Sequence, residues 1–455
     1  MTITAGPNRE RFLYLAIFAV GFCWTLYIGL ASAGVPVHDE LAHYFISRDA
    51  WQQPELLLSM WGRPVRNIVY WLPAIGGLKA ARVFSVILTG LTIGIATEIG
   101  RLIGVQRLYL IPLFIWFQPW VSAISFAVLP QIPFALILAG GVLLALKKKD
   151  GAASIAFGLL PLTRHEGLAL LGLWLLYLFW KRSWRNVALA FLPLLLFNLV
   201  FFLVEREAAF AIYFNTAPTD RYGSGTWLHY IRPLPKYVGF PVLLLSLPAI
   251  FPLAKNRSGV AVFLPYLAYL FTHTVIYRFG LFASGGYQLF LLPMAPAFGL
   301  AAALGLEQLL TASQHFTRPA NQRTWAILRT SFLLICAILA VVAGLSTRPL
   351  PLDDEGVALQ NATNWLSESD LDQTSVIASH VWFEYFYDGD SSGLTTPAAD
   401  LQPGTIVVWD QHYSERVGLV YDDLISLPDC WQEAAQFGDG PVAAIFIKSA
   451  RCPAD

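Results

Sequence analysis

Charge is what this chain has least of. Only 13% of its 455 residues are Asp, Glu, Lys or Arg, about half the roughly one quarter usual in a soluble domain, and 56% are apolar. That composition excludes an ordinary soluble globule and places the chain among polytopic membrane proteins. Thirty basic residues balance thirty acidic ones. No basic patch stands out beyond short clusters, which argues against a nucleic-acid partner. Cysteine is sparse. Cys23 and Cys336 sit in apolar runs and read as small packing residues, while Cys430 and Cys452 both fall in the C-terminal segment, where an extracytoplasmic location would permit a disulfide. No CxxC or Cys/His spacing suggests zinc. No P-loop, Rossmann fingerprint or HExxH is present, so a nucleotide-sugar donor has no support.

Apolar runs supply the architecture. The first, 12–31, follows Arg9 and Arg11 and is long enough to span a bilayer. It ends in Ala31-Ser32-Ala33, which imitates a signal-peptidase site, but its length favours an uncleaved anchor with the N-terminus in the cytosol. Further spans are expected at 82–100, 108–122, 133–146, 152–162, 168–180, 187–204, 240–253, 259–276, 288–306 and 328–345, about eleven in all. Residues 61–77, interrupted by Arg63, Pro64, Arg66 and Pro73, read as a helix lying at the outer interface. The basic clusters Arg101/Arg107, Lys147–Lys149, Lys181/Arg182/Arg185, Lys255/Arg257 and Arg318/Arg323/Arg329 occupy alternate connections, which the positive-inside rule assigns to the cytosol. The expected architecture is an α-helical polytopic module over 1–345. A small α/β domain over 346–455 follows, with strand-like runs at 375–379, 405–410 and 442–448 and a helical run at 355–366. An odd span count places that domain outside.

The opposite connections hold the polar residues that can carry chemistry. The loop at 37–77 opens on an adjacent acid pair, Asp39 and Glu40, at the end of the first span. Acids beside a bilayer are costly unless solvated or paired, and a poorly solvated carboxylate is a good base for an acceptor hydroxyl. Asp39 is the candidate base and Glu40 its helper. The plain alternative is a helix N-terminus, where acids meet the dipole favourably. Arg164-His165-Glu166 interrupts two apolar runs; a guanidinium suits a phosphate through paired charge-assisted hydrogen bonds, and Glu166 can orient Arg164 or His165. The alternative there is an interfacial ion pair reaching the headgroups. Arg63 and Gln288 are further candidates for the donor phosphate or lipid. His38, His43 and Arg48 around the acid pair, and Tyr222 and His229 in a long outer loop with Asp220 and Arg221, are acceptor or auxiliary candidates. Arg66 and Arg82 read better as interfacial anchors. Trp382, Trp409 and His412 can stack on a sugar, though core packing is the commoner use of the tryptophans.

With these residues in view, the chain resembles the GT-C superfamily of polytopic membrane glycosyltransferases. His38-Asp39-Glu40 followed by Trp61-Gly62-Arg63 is similar to the Asp-Glu loop of dolichyl-phosphate-mannose-dependent mannosyltransferases. Arg82-Val83-Phe84-Ser85 with Arg101-Leu102-Ile103-Gly104 resembles that family's second span and its cytosolic edge. Leu162-Thr163-Arg164-His165-Glu166-Gly167 looks like its Thr-Arg-Pro-Glu-Gly turn. The resemblance implies a polyprenyl- or dolichyl-phosphate sugar donor, mannose among the sugars, and a lipid, glycan or protein acceptor at the outer face. It also implies an inverting displacement in which Asp39 takes the acceptor proton and polyprenyl phosphate leaves. Some relatives hold a divalent metal at the acid pair, so the resemblance leaves room for Mg²⁺ or Mn²⁺ at Asp39 and Glu40. Two departures stand out: Leu129-Pro130-Gln131 where many relatives carry an acid, and Gly286-Tyr287-Gln288-Leu289 where they often carry arginine. A transporter or lipid flippase, or a non-catalytic membrane scaffold, is the alternative. The first predicts inverted repeats and mid-bilayer charges, whereas the charges here cluster at span ends.

Overall fold

The structure is a computed structural model and describes residues 7–209, 222–315, 322–371, 373, 375–394, 397–440 and 442–450. The chain forms two compact units, one of Met1–Ala31 with His43–Pro349, the other of Ser32–Ala42 with Leu350–Asp455. We call them the membrane unit and the C-terminal unit.

Helices dominate the membrane unit: α1 (Pro7–Ala31), α2 (Asp39–Asp49, which begins in the C-terminal unit), α3 (Pro64–Ile75), α4 (Gly77–Ile103), α5 (Leu110–Trp116), α6 (Pro119–Ile124), α7 (Gln131–Leu146), α8 (Asp150–Thr163), α9 (Gly167–Trp180) and α10 (Trp184–Glu205). After the next connection come α11 (Phe240–Ser246), α12 (Ile250–Lys255), α13 (Arg257–Arg278), α14 (Ala295–His315) and α15 (Gln322–Leu345). Among the described residues, six helical stretches are long and apolar enough to cross a membrane: Asn8–Ala31, Gly77–Ile103, Trp184–Glu205, Pro235–Lys255, Arg257–Arg278 and Gln288–Thr311. Gln131–Leu146, Gly167–Trp180 and Thr330–Leu345 are shorter apolar helices.

Two of the expected spans are each split between two α-helices, 240–253, which divides into α11 and α12, and 108–122. Residues 108–122 divide into α5 and α6, because Pro119 cannot continue the hydrogen-bonded ladder and instead opens α6 at its first position. The break is buried, so its polar groups need partners. Gln118 donates to the carbonyls of Phe114 and Ala295 at 2.8 and 2.9 Å. From α4, Ser85 donates to Ala127 O at 3.0 Å and Thr89 to Ser125 O at 3.2 Å. Arg82, expected as an anchor, is buried and donates to Gly29 O at 3.1 Å. The polar stripe of α4 thus satisfies the irregular backbone beside it.

The helix α3 is inside out. Ile68, Leu72 and Ile75 are exposed at a helical spacing, whereas Arg66, Asn67 and Tyr70 on the other face are fully buried. A lipid surround explains this: the apolar side costs nothing in hydrocarbon, and the polar side must turn inward to find partners. Asn67 Nδ2 donates to Leu56 O at 3.1 Å, tying the preceding turn to the helix.

The C-terminal unit is a four-stranded sheet with helices against it. Its strands are β1 (Val376–Ala378), β2 (Ile406–Asp410), β3 (Trp431–Phe437) and β4 (Ala443–Lys448), in the order β1-β2-β4-β3. β1 and β2 are parallel, and the other two pairs are antiparallel. The helices are α16 (Asp354–Glu368), α17 (Val381–Phe386) and α18 (Tyr421–Ser426). Central β2 is buried at every residue, and Val407, Trp409, Leu419, Leu424 and Phe446 share one core. Trp382 and Trp409 are buried, so both tryptophans pack rather than face solvent. Cys430 is disulfide-bonded; Cys452 lies outside the described residues. The segment Ser32–Ala42 joins this unit through Gly34 N to Leu350 O at 3.0 Å and Leu350 N to Ser32 Oγ at 2.8 Å.

Candidate functional site

The turn between α8 and α9 builds the centre of the membrane unit's polar cluster. Arg164 leaves α8 in an extended conformation, and α9 starts three residues later against the last turn of α8. That approach requires glycine: a Cβ at Gly167 would stand 2.4 Å from the Leu160 carbonyl carbon. Arg164 is buried and forks onto Glu166, Nη2 to Oε1 at 2.8 Å and Nε to Oε2 at 3.2 Å. Its guanidinium lies over the Phe290 ring, 4.4 Å from the centroid. Burial alone would discourage a charge on Glu166, but the Arg164 guanidinium outweighs it and holds the carboxyl well below its usual range. His165 and His273 each approach Glu166 Oε1 at 3.7 Å. His273 is fully buried, stacked on Phe290.

A second contribution comes from the start of α3. Arg63 caps the helix with φ +67°, a conformation uncommon outside glycine, and its Nη1 donates to Met60 O at 3.0 Å. Arg66 has no exposed surface; Nη1 donates to Asn67 Oδ1 at 2.8 Å, but Nε and Nη2 have no hydrogen-bond partner among the described residues. His43 is buried beside Trp61, ring centroids 4.7 Å apart, with Nδ1 also unpartnered. Burial, then the charges of Arg66, Arg63 and Arg164, push the His43 imidazole well below its usual range. His165 is lowered to about 4, again first by burial. Three guanidiniums therefore act on one buried region in which Glu166 is the acid that pairs with Arg164. An unpartnered buried guanidinium costs several kcal/mol on the order of its desolvation, so such a cluster is set to receive an anion.

Gln288 and His229, from two different connections, meet each other. His229 Nε2 lies 2.7 Å from Gly286 O, to which it donates, and the Gln288 amide is 3.3 Å from the same nitrogen. Tyr277 packs on His229 with centroids 4.3 Å apart. Tyr222 is exposed, and Asp220 and Arg221 lie outside the described residues. Arg48 forks onto its neighbour Asp49 at 2.6 and 3.2 Å and lies over the Phe45 ring, 4.5 Å from its centroid.

The acid pair belongs to the C-terminal unit. Asp39 and Glu40 are the first two residues of α2, where the helix dipole favours acids. Asp39 is exposed, whereas Glu40 has no exposed surface. His38 is held by Asp353, Nε2 to Oδ2 at 2.8 Å. Burial opposes charge on His38, but the hydrogen bond to Asp353, then the charges of Asp353, Glu355 and Asp39, raise its pKa. Tyr413 is raised to about 12 by burial and then by the Asp39 charge.

Sequence reasoning preferred an anchor role to a phosphate contact for Arg66, and it did not single out His273, Glu355 or His380. An ionisable residue inside an apolar span is itself a signal, and it singles out His273. Nothing in their spacing joins Glu355 to His380.

No protein-family model matches the chain, and no curated protein matches it in sequence. Solved structures do match in fold. ArnT from Cupriavidus metallidurans bound to undecaprenyl phosphate superposes with a TM-score of 0.65 at 14% identity, over 99% of this chain and 100% of that one. The arabinofuranosyltransferase AftD from mycobacteria gives 0.53 at 13%, over 96% of this chain and 40% of that one. The Archaeoglobus fulgidus oligosaccharyltransferase gives 0.50 at 12%, over 96% and 74%.

Proposed function

We propose, for a chain that has the GT-C fold of membrane glycosyltransferases, that it moves a sugar from a polyprenyl-phosphate donor to the hydroxyl of a lipid, glycan or protein acceptor. The observation that carries the reading is the buried cationic cluster around Arg66. It offers an anion two guanidinium donors that no described residue satisfies, flanked by Arg63 and by an Arg164 already oriented by Glu166. ArnT, similar in fold along its whole length, is a structure with a polyprenyl phosphate bound, and that ligand's chemistry is an anion on an isoprenoid tail.

In this reading Arg66, Arg164 and Arg63 hold the donor phosphate and stabilise the charge that grows on it as the bond to sugar C1 breaks. Asp39 takes the proton of the acceptor hydroxyl, whose oxygen forms the new bond to C1 from the opposite face, inverting the anomeric centre. The polyprenyl phosphate leaves as the anion the arginines already bind. His43 and His165, kept neutral by burial and by those same arginines, shape the pocket without adding charge. Gln288 contacts the donor lipid phosphate, and His229 and Tyr222 are the acceptor-side contacts. The basic clusters of the alternate connections put the cytosol on the other face, so the site and the C-terminal unit are extracytoplasmic. Mannose is the sugar that the Asp-Glu loop's likeness favours.

The experiment is transfer by the purified, lipid-reconstituted chain from a panel of radiolabelled undecaprenyl-phosphate sugars, mannose included. Asp39→Asn is expected to lower turnover by about 10²–10⁴, the usual contribution of a general base, while undecaprenyl phosphate still binds. Equal turnover by wild type and Asp39→Asn would remove Asp39 as the base. No binding of any polyprenyl phosphate would remove the transferase reading itself.

A further inference from the structure

We propose that the C-terminal unit holds a transition-metal site, best suited to Zn²⁺, whose ligands are His38, Glu355 and His380. Their ligand atoms all lie within 4.8 Å of one another. His380 Nε2 is 3.1 Å and His38 Nε2 3.8 Å from Glu355 Oε2. Ligands about 2.0–2.2 Å from a tetrahedral zinc stand roughly 3.3–3.5 Å from each other, and the observed spacings bracket that value. Two more groups border the site and compete for a fourth position: His412 Nδ1, 3.3 Å from Glu355 Oε2, and Asp353 Oδ2, 2.8 Å from His38 Nε2. Three of the chain's eight histidines thus gather on one carboxylate. The His380 side chain is 1% exposed, that of His38 14% and that of Glu355 17%, so the set is sheltered yet reachable from solvent.

The donor chemistry selects the ion. Magnesium and calcium take oxygen ligands almost exclusively, whereas two imidazoles with a carboxylate are the set of zinc and its neighbours. This set is distinct from the Asp39–Glu40 pair, neither of which is among its ligands. It places the residue immediately before Asp39 in the first coordination shell, so that metal binding would fix the turn from which the proposed base projects.

Without metal, the same groups are held by protons. His380 Nδ1 accepts from Trp382 N–H at 3.1 Å and caps α17, which puts its own proton on Nε2, facing Glu355. Coordination through Nε2 requires that proton to pass to Nδ1, at the expense of the cap. A helix cap is a small term beside a zinc–imidazole bond. His38 likewise exchanges its Nε2 proton, now donated to Asp353, for the metal.

The test reads metal directly and does not depend on sugar transfer. The full-length chain is purified without chelator, and its metal is counted by elemental mass spectrometry. About one zinc per chain is expected in wild type, retained in Asp39→Asn and Glu40→Gln, and lost in His380→Ala. Because His380→Ala also removes the cap, Glu355→Gln serves as the second variant: it keeps the shape and still accepts from His380 but is a poor metal ligand. Cobalt substitution should give the visible absorption of a four-coordinate site in wild type and none in Glu355→Gln. Wild type without bound metal and without cobalt absorption would overturn the proposal. So would zinc content unchanged in Glu355→Gln and His380→Ala, or loss of zinc on mutating the acid pair alone.

Discussion

Arg66 and Arg164 are both buried guanidiniums, and the anion-site reading assigns their removal opposite effects on stability. Arg164 is matched by Glu166 through two hydrogen bonds. Arg66 has one, to Asn67, and two nitrogens without a partner among the described residues. Breaking a buried ion pair from one side costs about 3–5 kcal/mol, because the other charge stays behind; Arg164→Met strands Glu166 and should lose that much. Arg66→Met instead removes a charge already uncompensated. Its desolvation penalty, several kcal/mol on the order of a buried ion, disappears together with a bond worth about 1.5–3 kcal/mol, so stability without ligand should hold or rise by about 1–3 kcal/mol.

Donor binding should move the other way. An incoming phosphate loses two charge-assisted hydrogen bonds; at about 1.5 kcal/mol each, the low end of the range, affinity falls by about 3 kcal/mol, roughly a hundredfold. The assay is thermal unfolding in lipid nanodiscs across a titration of undecaprenyl phosphate, since a ligand of the folded state raises stability as the logarithm of one plus its concentration over Kd. Wild type should shift at low lipid phosphate. Arg66→Met should start at or above the wild-type midpoint and shift only at about a hundred times the concentration. If Arg66→Met binds as wild type, or starts as destabilised as Arg164→Met, the reasoning from an unpartnered guanidinium to an anion site is refuted.

Gly167→Ala should cost about 2–3 kcal/mol, the range for overpacking, because its Cβ meets Leu160 backbone, which cannot swing aside; the thermal midpoint and undecaprenyl phosphate affinity should fall together, and an unchanged midpoint would contradict the packing at the α8–α9 turn. Trp409→Ala should cost about 3–5 kcal/mol and expose the C-terminal unit to limited proteolysis, since Trp409 is a core residue whose Nε1 donates to Leu419 O at 3.0 Å; mild loss with weakened acceptor binding would instead make it a sugar platform. For pH, burial and the arginines depress His43 and His165, so from the ordinary 6.5 downward the unfolded chain takes protons that the folded one refuses, and stability should fall between pH 6.5 and about 4. Glu166, also depressed, contributes above the ordinary carboxyl value of 4.5 and is lost only at lower pH. Binding of a polyprenyl-phosphate sugar, a diester of fixed charge, should therefore stay flat from about pH 5 to 8, and a binding step near 6.5 would put an imidazolium in the phosphate site.

The sequence made the fold class legible because its scarcity of charge and its apolar runs are properties of composition, which tertiary packing does not alter. Where the chain departs from straight spans, the cause is local and visible only afterwards. Pro119 and the buried Gln118 break 108–122 into α5 and α6, and the break survives because Ser85 and Thr89 of α4 are there to satisfy it. In the C-terminal unit the runs over 375–379, 405–410 and 442–448 became β1, β2 and β4, buried enough to read as apolar. β3, Trp431–Phe437, escaped notice for a physical reason: it is an edge strand paired only with β4, its Gln432, Glu433 and Gln436 are exposed and polar, and its register shifts between Glu433 and Ala435. An edge strand asks little of its side chains. Nor could composition show that Ser32–Ala42 packs with residues more than 300 positions later.

The site was legible in the same uneven way. Thr163 to Gly167 stands out because five polar or small residues interrupt apolar sequence, and the structure uses three of them: the extended Arg164, the Glu166 fork, the close approach at Gly167. Arg66 looked like an anchor because Arg63 and Arg66 among aromatic and proline residues suit an interfacial helix equally well. What decides between an anchor and a receptor is which face of α3 turns inward, and that follows from its neighbours: Ile68, Leu72 and Ile75 supply the lipid-facing side, so Arg66 and Asn67 have nowhere to go but in. The same periodicity was present in the sequence and pointed to an amphipathic helix, but it did not say which face turns inward. In water the polar face of such a helix would be the exposed one, and Arg66 would have been solvated. Against hydrocarbon the helix inverts, and an arginine that could have served as an anchor becomes a buried cation in need of an anion.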